Sequence, residues 1–227
     1  MAFFDADYHA FFSELTEFNY KEWFDDHRKR YEKSVKAPFK RFVDLLIERV
    51  RDEVDPSVLI TSKEAIFRIN RDIRFSKDKT PYKTQMSAII SPGGKKDKTD
   101  PGLYIEFGPQ STAVYTGFYM GSTKQVYAIR EAIARDLNHF QSIIKDKGFV
   151  AHFPEGIQGE KAKRIPKEFQ EAAASEPLIY NKQFFCNSHY PAGKILETDL
   201  LDFLVAHYQA AKPLVDFIRP VVKLQEA

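Results

Sequence analysis

The sequence predicts an α+β protein in which an antiparallel sheet of about four central strands is flanked by N-terminal and C-terminal helices. Three observations support this fold class. Apolar residues recur at helical spacing up to about residue 55, alternate with polar residues over residues 65–119, and return to the helical period from Thr123. The connections between the alternating segments are short, which favours antiparallel neighbours, because parallel strands need long crossovers.

The composition is that of a folded protein with a substantial core. Of the 227 residues, 43% are hydrophobic and 14% are aromatic, and no repeat or linker divides them, so we expect a single domain over residues 1–227. One cysteine, Cys186, excludes an internal disulfide and suits a reducing compartment. The N-terminal residues, which include Asp5 and Asp7, do not resemble a signal peptide, and no apolar run reaches the ~20 residues that a membrane helix needs. These features predict a cytoplasmic protein without a membrane partner.

The N-terminal part of the chain predicts two helical segments. The first covers residues 7–17, where four apolar residues share one face. The second begins at Asn19, which has the spacing of a capping box with Glu22. Pro38 lies inside the second helical pattern, so we expect it to kink that helix or to divide it into two.

The middle of the chain changes to a period of two, which is typical of strands with one buried face. The predicted strands cover residues 67–74, 84–91, 103–107 and 112–119. Residues 183–190 are consistent with either a short strand or an extended segment. The last helix is expected to begin near Asp199 and to be kinked at Pro213.

Positive charge is concentrated in one segment, although the formal net charge of the chain is only +2. Residues 63–98 contain ten Lys or Arg residues against four Asp or Glu residues. A local excess of this kind attracts counter-ions, which makes a small anionic ligand the leading hypothesis for a partner. Solubility alone would account for the lysines, but less readily for the arginines.

Strand parity places four polar side chains of this segment in one row. Arg68, Asn70, Asp72 and Arg74 would all point away from the core. Arginine side chains in such a row suit phosphate or carboxylate oxygens, which they bind in bidentate geometry. The row therefore predicts a site for a phosphate-bearing or carboxylate-bearing ligand.

Arg71 is the exception to this parity, because its position places it among the apolar residues. A buried arginine is costly unless it is paired. The sequence offers Glu106 and the adjacent Asp25 and Asp26 as partners and does not choose among them.

A stiff turn follows, and its end extends the predicted site. Residues 76–81 contain an aspartate that can bond to backbone amides and a proline that fixes the exit. The predicted ligand-binding residues are Arg68, Arg71, Arg74, Lys79, Tyr82 and Lys83. Whether the protein is also an enzyme stays open. If it is, Asp72 and His27 are the candidates for proton transfer.

The sequence does not favour a metal or a cofactor. Its six histidines show no i, i+4 pairing and a single cysteine cannot form a thiolate cluster. Gly94 and Lys95 lack the remaining residues of a phosphate-binding P-loop. We therefore expect neither a metal nor a cofactor.

Two alternatives from other classes are open. The basic segment over residues 63–98 and nearby tyrosines could bind nucleic acid by phosphate contacts and stacking, although no recognition signature is present. In the other alternative, the arginines are paired internally and the chain is a structural or interaction domain. The oligomeric state cannot be inferred from these patterns.

Three strings resemble a known family. The string FRINRDIRFSKDKTPYK at residues 67–83 resembles the signature of an uncharacterised family of microbial and fungal proteins, domain of unknown function 2461. The strings EWFDDHRKRYEKSVKAPF at residues 22–39 and LLDFLVAHYQAAKPLVDFI at residues 200–218 resemble its opening motif and its closing helix. The resemblance covers nearly the whole chain and implies an α+β fold, but no activity. Residues 119–122 depart from the family pattern, because they lack the expected Trp and Pro.

Overall fold

A computed structural model describes residues 2–225 and has the predicted α+β architecture. Its antiparallel sheet has the strand order β1-β2-β3-β4. The strands are β1 (Met86–Ile90), β2 (Gly102–Phe107), β3 (Ser111–Phe118) and β4 (Phe184–Pro191). The first three strands follow one another along the chain, and β4 pairs with β3 after a long helical insertion. No helix within residues 2–225 is both long enough and apolar enough to cross a membrane.

The N-terminal helical run changes from a π-helix to an α-helix next to Pro38 and is not divided there. The N-terminal helices are α1 (Ala6–Glu17), α2 (Lys21–Asp26), α3 (Arg28–Arg30), α4 (Ala37–Glu53) and α5 (Ser62–Ala65), with a π-helix over Tyr31–Lys36. Pro38 is the second residue of α4, and the Ala37 N–H before it bonds to the Glu32 carbonyl of the π-helix, so the helical backbone continues across the junction.

The capping box predicted at Asn19 is wrong. The N-cap of α2 is Tyr20, which makes no side-chain cap bond. The Asn19 side chain instead bonds to the backbone of Tyr82, donating to its carbonyl at 2.9 Å and accepting from its N–H at 3.0 Å. An amide has both a donor and an acceptor, so a neighbouring extended segment could compete successfully for it.

The C-terminal part supplies the remaining helices. They are α6 (Thr123–Arg135), α7 (Leu137–Ile144), α8 (Lys147–His152), α9 (Gln170–Ser175) and α10 (Leu200–Lys223). Short 3-10 helices cover Gly94–Lys96, Lys167–Phe169, Pro177–Tyr180 and Ala192–Leu196. Helix α10 continues through Pro213 and Pro220, because its packing outweighs the two hydrogen bonds that these prolines remove.

The first predicted strand, over residues 67–74, is not a strand of the sheet. The segment is extended, and its only bridges within residues 2–225 are the isolated ones Ile66–Ala88 and Asn70–Tyr82. Its start bonds to β1 and residues 69–71 bond to residues 81–83, so its alternating pattern arises in an extended loop with one side buried. The fourth strand is β4, which corresponds to the segment that the sequence left as strand or extended.

Helices cover one face of the sheet. The strand residues that reach the hydrophobic core all lie on this face, and they are Met86, Ala88, Ile90, Leu103, Ile105, Phe107, Val114, Phe118, Phe184 and Cys186. Helix α4 lies against β1, and α10 lies against β2 and β3. Within residues 2–225 the opposite face contributes no residue to the two hydrophobic core clusters, although Ser87 and Ala113 are buried on it, and we call it the open face.

A buried ion cluster joins α10 to two loops, and we call it the Arg219 cluster. The Arg219 guanidinium donates to Asp55 at 2.8 Å and to Asp100 at 3.0 Å. The Tyr208 hydroxyl donates to the same oxygen of Asp55 at 2.8 Å. The two carboxylate side chains are 3% and 0% exposed, and Arg219 compensates both of them, with Lys223 also lying 3.7 Å from Asp100.

Candidate functional site

The open face is made of side chains in rows that run across the four strands. One row contains Ile89, Tyr104, Tyr115 and Asn187, and the next contains Ser87, Glu106, Ala113 and His189. These residues are mostly polar or aromatic, whereas sheet faces that pack against helices are mostly aliphatic. The composition of the open face therefore fits contact with solvent or with a ligand.

A groove of about 460 Å³ lies on the open face, and we call it the open-face groove. Gly102 and Gly117 are paired on β2 and β3 and both line it, so part of its floor is bare backbone. Its apolar walls are formed by Phe67, Ile89, Tyr104, Tyr115, Tyr119, Met120 and Phe185. Small-molecule sites occupy roughly 300–1,000 Å³ and are mostly apolar, so the groove has suitable size and lining.

The backbone at Gly117 requires glycine. Its φ of +99° lies in a region that other residues rarely adopt, and a Cβ there would lie 2.3 Å from the carbonyl oxygen of Phe184. We expect Gly117→Ala to lower the free energy of unfolding by about 2 kcal/mol or more, measured by urea denaturation.

Gly193→Ala is the matched control, because a Cβ at Gly193 meets nothing within 4 Å. We expect it to change the free energy of unfolding by less than about 0.5 kcal/mol. Equal losses in the two variants would contradict a special role for the backbone at Gly117.

Aromatic rings form a continuous edge-to-face series along the open face. The ring centroids are 5.8 Å apart for Phe67 and Tyr104, and 5.7 Å apart for Tyr104 and Tyr115. His189 continues the series at 5.7 Å from Tyr115. Edge-to-face contacts restrain the rings, so the groove has a fixed apolar wall.

Three charged residues line the groove, and two of them are already bound. The Lys95 ammonium donates to two backbone carbonyl groups. The Asp100 carboxylate accepts from Arg219. Lys98 is exposed and makes no hydrogen bond or ion pair with any residue between 2 and 225. Among the charged residues that line the groove, Lys98 is therefore the one whose charged group is available to bind a ligand, and its charge is positive.

Lys83 extends this positive charge beside the groove. Its ammonium lies 5.3 Å from the centroid of the Phe67 ring, which is a groove wall. Burial lowers the pKa of Lys83, the charge of Glu106 opposes this, and the positive charges of Arg68 and Lys98 lower the pKa further. Lys98 lines the groove, Lys83 lies over its Phe67 wall, and Arg68 follows Phe67 in the chain, so we call Arg68, Lys83 and Lys98 the cationic cluster.

The cationic cluster has too few negative partners. Within residues 2–225, no carboxylate oxygen lies within 4 Å of a side-chain nitrogen of Arg68, Lys83 or Lys98. Glu106 interacts with Lys83 at longer range and accepts a hydrogen bond from the Tyr104 hydroxyl at 3.2 Å. Burial raises the pKa of Tyr104, so its hydroxyl stays protonated near neutral pH. The cluster therefore leaves an excess of positive charge at the groove.

Two of the predicted arginines form local ion pairs. Arg74 donates to both oxygens of Asp72, at 2.9 and 2.7 Å, and both side chains are exposed. Arg71 is half-buried and pairs with Asp78. The partners suggested for Arg71 from the sequence, Glu106 and Asp25 or Asp26, are therefore wrong. The turn over residues 76–81 folds Asp78 back onto Arg71, which residue spacing does not reveal.

The other predicted binding residues are more widely distributed. Lys79 donates to the carbonyl of Ile73 at 2.9 Å on an exposed loop. Tyr82 is buried, with its ring 4.1 Å from that of Phe24. Arg71, Tyr82 and Lys83 line a second, more open depression of about 360 Å³. Of the six predicted residues, Arg68 and Lys83 belong to the cationic cluster.

The two candidates for proton transfer do not line the open-face groove. His27 stacks on Trp23 at 4.1 Å, and its Nδ1 lies 2.8 Å from the Trp23 carbonyl oxygen. Asp72 is occupied by Arg74. The groups of the open face that could accept or donate a proton include Glu106, Tyr104 and His189.

The sequence-based site omitted Tyr104, Tyr115 and Lys98. The alternation in β2 was a usable signal, because it places Tyr104 and Glu106 opposite the core residues of that strand. The sequence does not give the strand register, which places β3 and the loop before β2 beside Tyr104 and Glu106.

Comparison with known proteins gives one match. A family model described as a conserved hypothetical protein (DUF2461) matches residues 7–217. No curated protein and no solved structure matches the chain.

Proposed function

We propose that this chain, which belongs to the DUF2461 family of conserved hypothetical proteins, binds a small phosphate-bearing or carboxylate-bearing ligand on the open face of its sheet. Membership of the family supplies no activity, so support comes from the geometry. The observation that carries the proposal is the cationic cluster beside the open-face groove, where Lys98 lines the groove, Lys83 lies over its Phe67 wall, and Glu106 is the carboxylate that interacts with Lys83.

An anion would relieve the electrostatic cost of this cluster. Half-burying Lys83 beside two cations disfavours its charged form, as the lowered pKa of Lys83 indicates. A bound phosphate or carboxylate supplies the missing negative charge and accepts short, charge-assisted hydrogen bonds. The Arg71–Asp78 and Arg74–Asp72 pairs are largely neutralised. The proposed site therefore keeps Arg68 and Lys83 of the predicted set and adds Lys98.

Removing the half-buried ammonium should weaken anion binding. We expect Lys83→Gln to raise the Kd of inorganic phosphate by about tenfold or more, since a hydrogen bond to a charged group is lost. Isothermal titration calorimetry at low ionic strength measures this change. Lys79→Gln is the matched control, because it makes the same substitution at an exposed amine held by the Ile73 carbonyl. The Kd of inorganic phosphate for Lys79→Gln should equal that for the unaltered protein.

Glu106→Gln should change the Kd of inorganic phosphate in the opposite direction to Lys83→Gln. It removes the negative charge nearest Lys83, so phosphate should bind about fivefold more tightly. Weaker binding to Glu106→Gln, or equal losses in Lys83→Gln and Lys79→Gln, would contradict the proposed site. A loss confined to Arg74→Ala would instead locate the site on the predicted arginine row.

The same set of proteins separates the alternative functions. A nucleic-acid binder would bind a single-stranded oligonucleotide with a steep dependence on salt, and substitution of the exposed Lys96 would weaken that binding. A structural or interaction domain would bind neither phosphate, small carboxylates nor the oligonucleotide.

A further inference from the structure

We infer that the ligand is an aromatic phosphate monoester, whose planar ring occupies the open-face groove and whose phosphate contacts the cationic cluster. This inference rests on the proposed anion binding and adds the chemical class of the ligand. It combines the charge of the cluster with the shape and lining of the groove beside it.

The charge balance favours a phosphate monoester over a carboxylate. The cationic cluster contributes three positive charges. Glu106 interacts with Lys83. Asp72 interacts with Arg68 but is itself paired with Arg74, so an excess of about two positive charges remains. A phosphate monoester carries about −1.5 to −2 charges near neutral pH, which matches the excess, whereas a carboxylate carries one. A phosphate also offers three oxygens, enough for the cluster's separate donors.

The groove lining favours a ring as the rest of the ligand. Phosphate alone would leave the apolar walls in contact with water. The paired Gly102 and Gly117 leave a stretch of floor without side chains, and the rings of Tyr104 and Tyr115 stand beside it. A flat body can approach bare backbone closely and contact both rings, so a planar aromatic group makes the most contact here.

The open-face groove lies next to the cationic cluster, so one ligand can contact both. Phe67 is a wall of the groove and also lies under the Lys83 ammonium, and Lys98 lines the groove directly. A ring in the groove therefore has cations at its Phe67 end. The groove lies between the loop that carries Lys95 and Lys98 and the segment Tyr119–Met120, which suits a small molecule.

Three matched probes test the inference on the unaltered protein by isothermal titration calorimetry. They are 1-naphthyl phosphate, 1-naphthol and inorganic phosphate, which carry ring and anion, ring alone and anion alone. We expect 1-naphthyl phosphate to bind at least about tenfold more tightly than either partial probe, because ring contacts of this kind commonly change affinity by that factor or more.

Variants at Tyr115 locate the ring. Tyr115→Leu removes a groove wall and should weaken binding of 1-naphthyl phosphate about tenfold while changing that of inorganic phosphate less than about twofold. Tyr115→Phe keeps the ring and should bind like the unaltered protein. Tyr127→Leu, at an exposed tyrosine of α6 that does not line the groove, is the matched control and should have no effect. Thermal unfolding shows whether each variant is folded.

The outcomes separate this inference from the proposed function. Equal affinities for 1-naphthyl phosphate and inorganic phosphate, both weakened by Lys83→Gln, would overturn the aromatic ligand and leave the anion site standing. A fourth probe, 1-naphthoate, carries a carboxylate in place of the phosphate. If it binds more tightly than 1-naphthyl phosphate, the assignment of a phosphate is overturned. Binding of 1-naphthol as tightly as 1-naphthyl phosphate would overturn the anion site, and absence of binding by all the probes would overturn both proposals.

Discussion

Arg219→Met should lower the free energy of unfolding by about 3–5 kcal/mol, because it removes one partner of a buried charge network. The substitution keeps most of the side-chain volume but leaves Asp55 and Asp100 without the guanidinium that binds them. Both carboxylates are nearly inaccessible to water, so solvent cannot replace it. Urea denaturation at pH 7 measures the loss.

Arg49→Met is the matched control. Arg49 also pairs with two carboxylates, Glu53 and Asp202, but all three side chains are at least 37% exposed. Water and salt screen such pairs, so we expect a loss below about 1 kcal/mol. If Arg49→Met and Arg219→Met cost the same, burial of the Arg219 cluster would not be the source of the effect.

The penalty of Arg219→Met should also depend on pH. Burial alone would raise the pKa of Asp55, but hydrogen bonds from Ser57, Arg219 and Tyr208 outweigh it and bring the pKa to about 2. A carboxyl whose pKa is lower in the folded state adds stability above its unfolded pKa, near 3.8. That stability is lost as the pH falls through about 2.

Without Arg219, the pKa of Asp55 should rise, and the carboxyl can take up a proton in the folded state. We therefore expect the stability difference between the unaltered protein and Arg219→Met to be largest near pH 7 and to shrink below pH 4. Urea denaturation of the two proteins near pH 7 and below pH 4 tests this expectation. A stability difference that does not depend on pH would show that loss of the Arg219 charge is not responsible.

Phe107→Ala should lower the free energy of unfolding by about 3–5 kcal/mol, because it removes a large ring from the centre of the core. The ring is inaccessible to solvent, and its centroid lies 5.7, 5.6 and 5.7 Å from those of Phe4, Phe39 and Phe42. These partners come from the N-terminal segment and α4, so the cavity would open where the sheet meets the helices.

Phe75→Ala makes the same change at a ring that is 94% exposed. We expect less than about 0.5 kcal/mol from it, since surface substitutions away from special features have small effects. Urea denaturation of both variants provides the comparison. A loss near 1 kcal/mol for Phe107→Ala would show that the surrounding rings close the cavity.

The helices and most of the sheet could be predicted because periodicity records which side of an element is buried. The same property explains the error at residues 67–74. That segment is buried on one side, and burial alone produces alternation whether or not a ladder forms. Only the hydrogen bonds distinguish the two cases, and they depend on the turn that brings residues 81–83 beside residues 69–71.

The site was less predictable because it is made by register. Tyr104 and Tyr115 are side by side only because β2 and β3 pair as they do. Lys98 lines the same groove as Phe67, over which Lys83 lies, although residues 83 and 98 are on opposite sides of β1 in the chain. Charge counting over residues 63–98 found the basic segment, but it could not separate Arg74, which is paired with its near neighbour Asp72, from Lys98.

Asp100 belongs to two structures at once, since it lines the open-face groove and is held by Arg219 of the last helix. Its loop is therefore fixed by contacts formed on folding and does not wait for a ligand. The wall that carries Asp100 is preorganised, so a ligand that fits it loses little binding free energy to ordering of the protein. Selectivity at this wall then follows from shape complementarity with a rigid receptor surface.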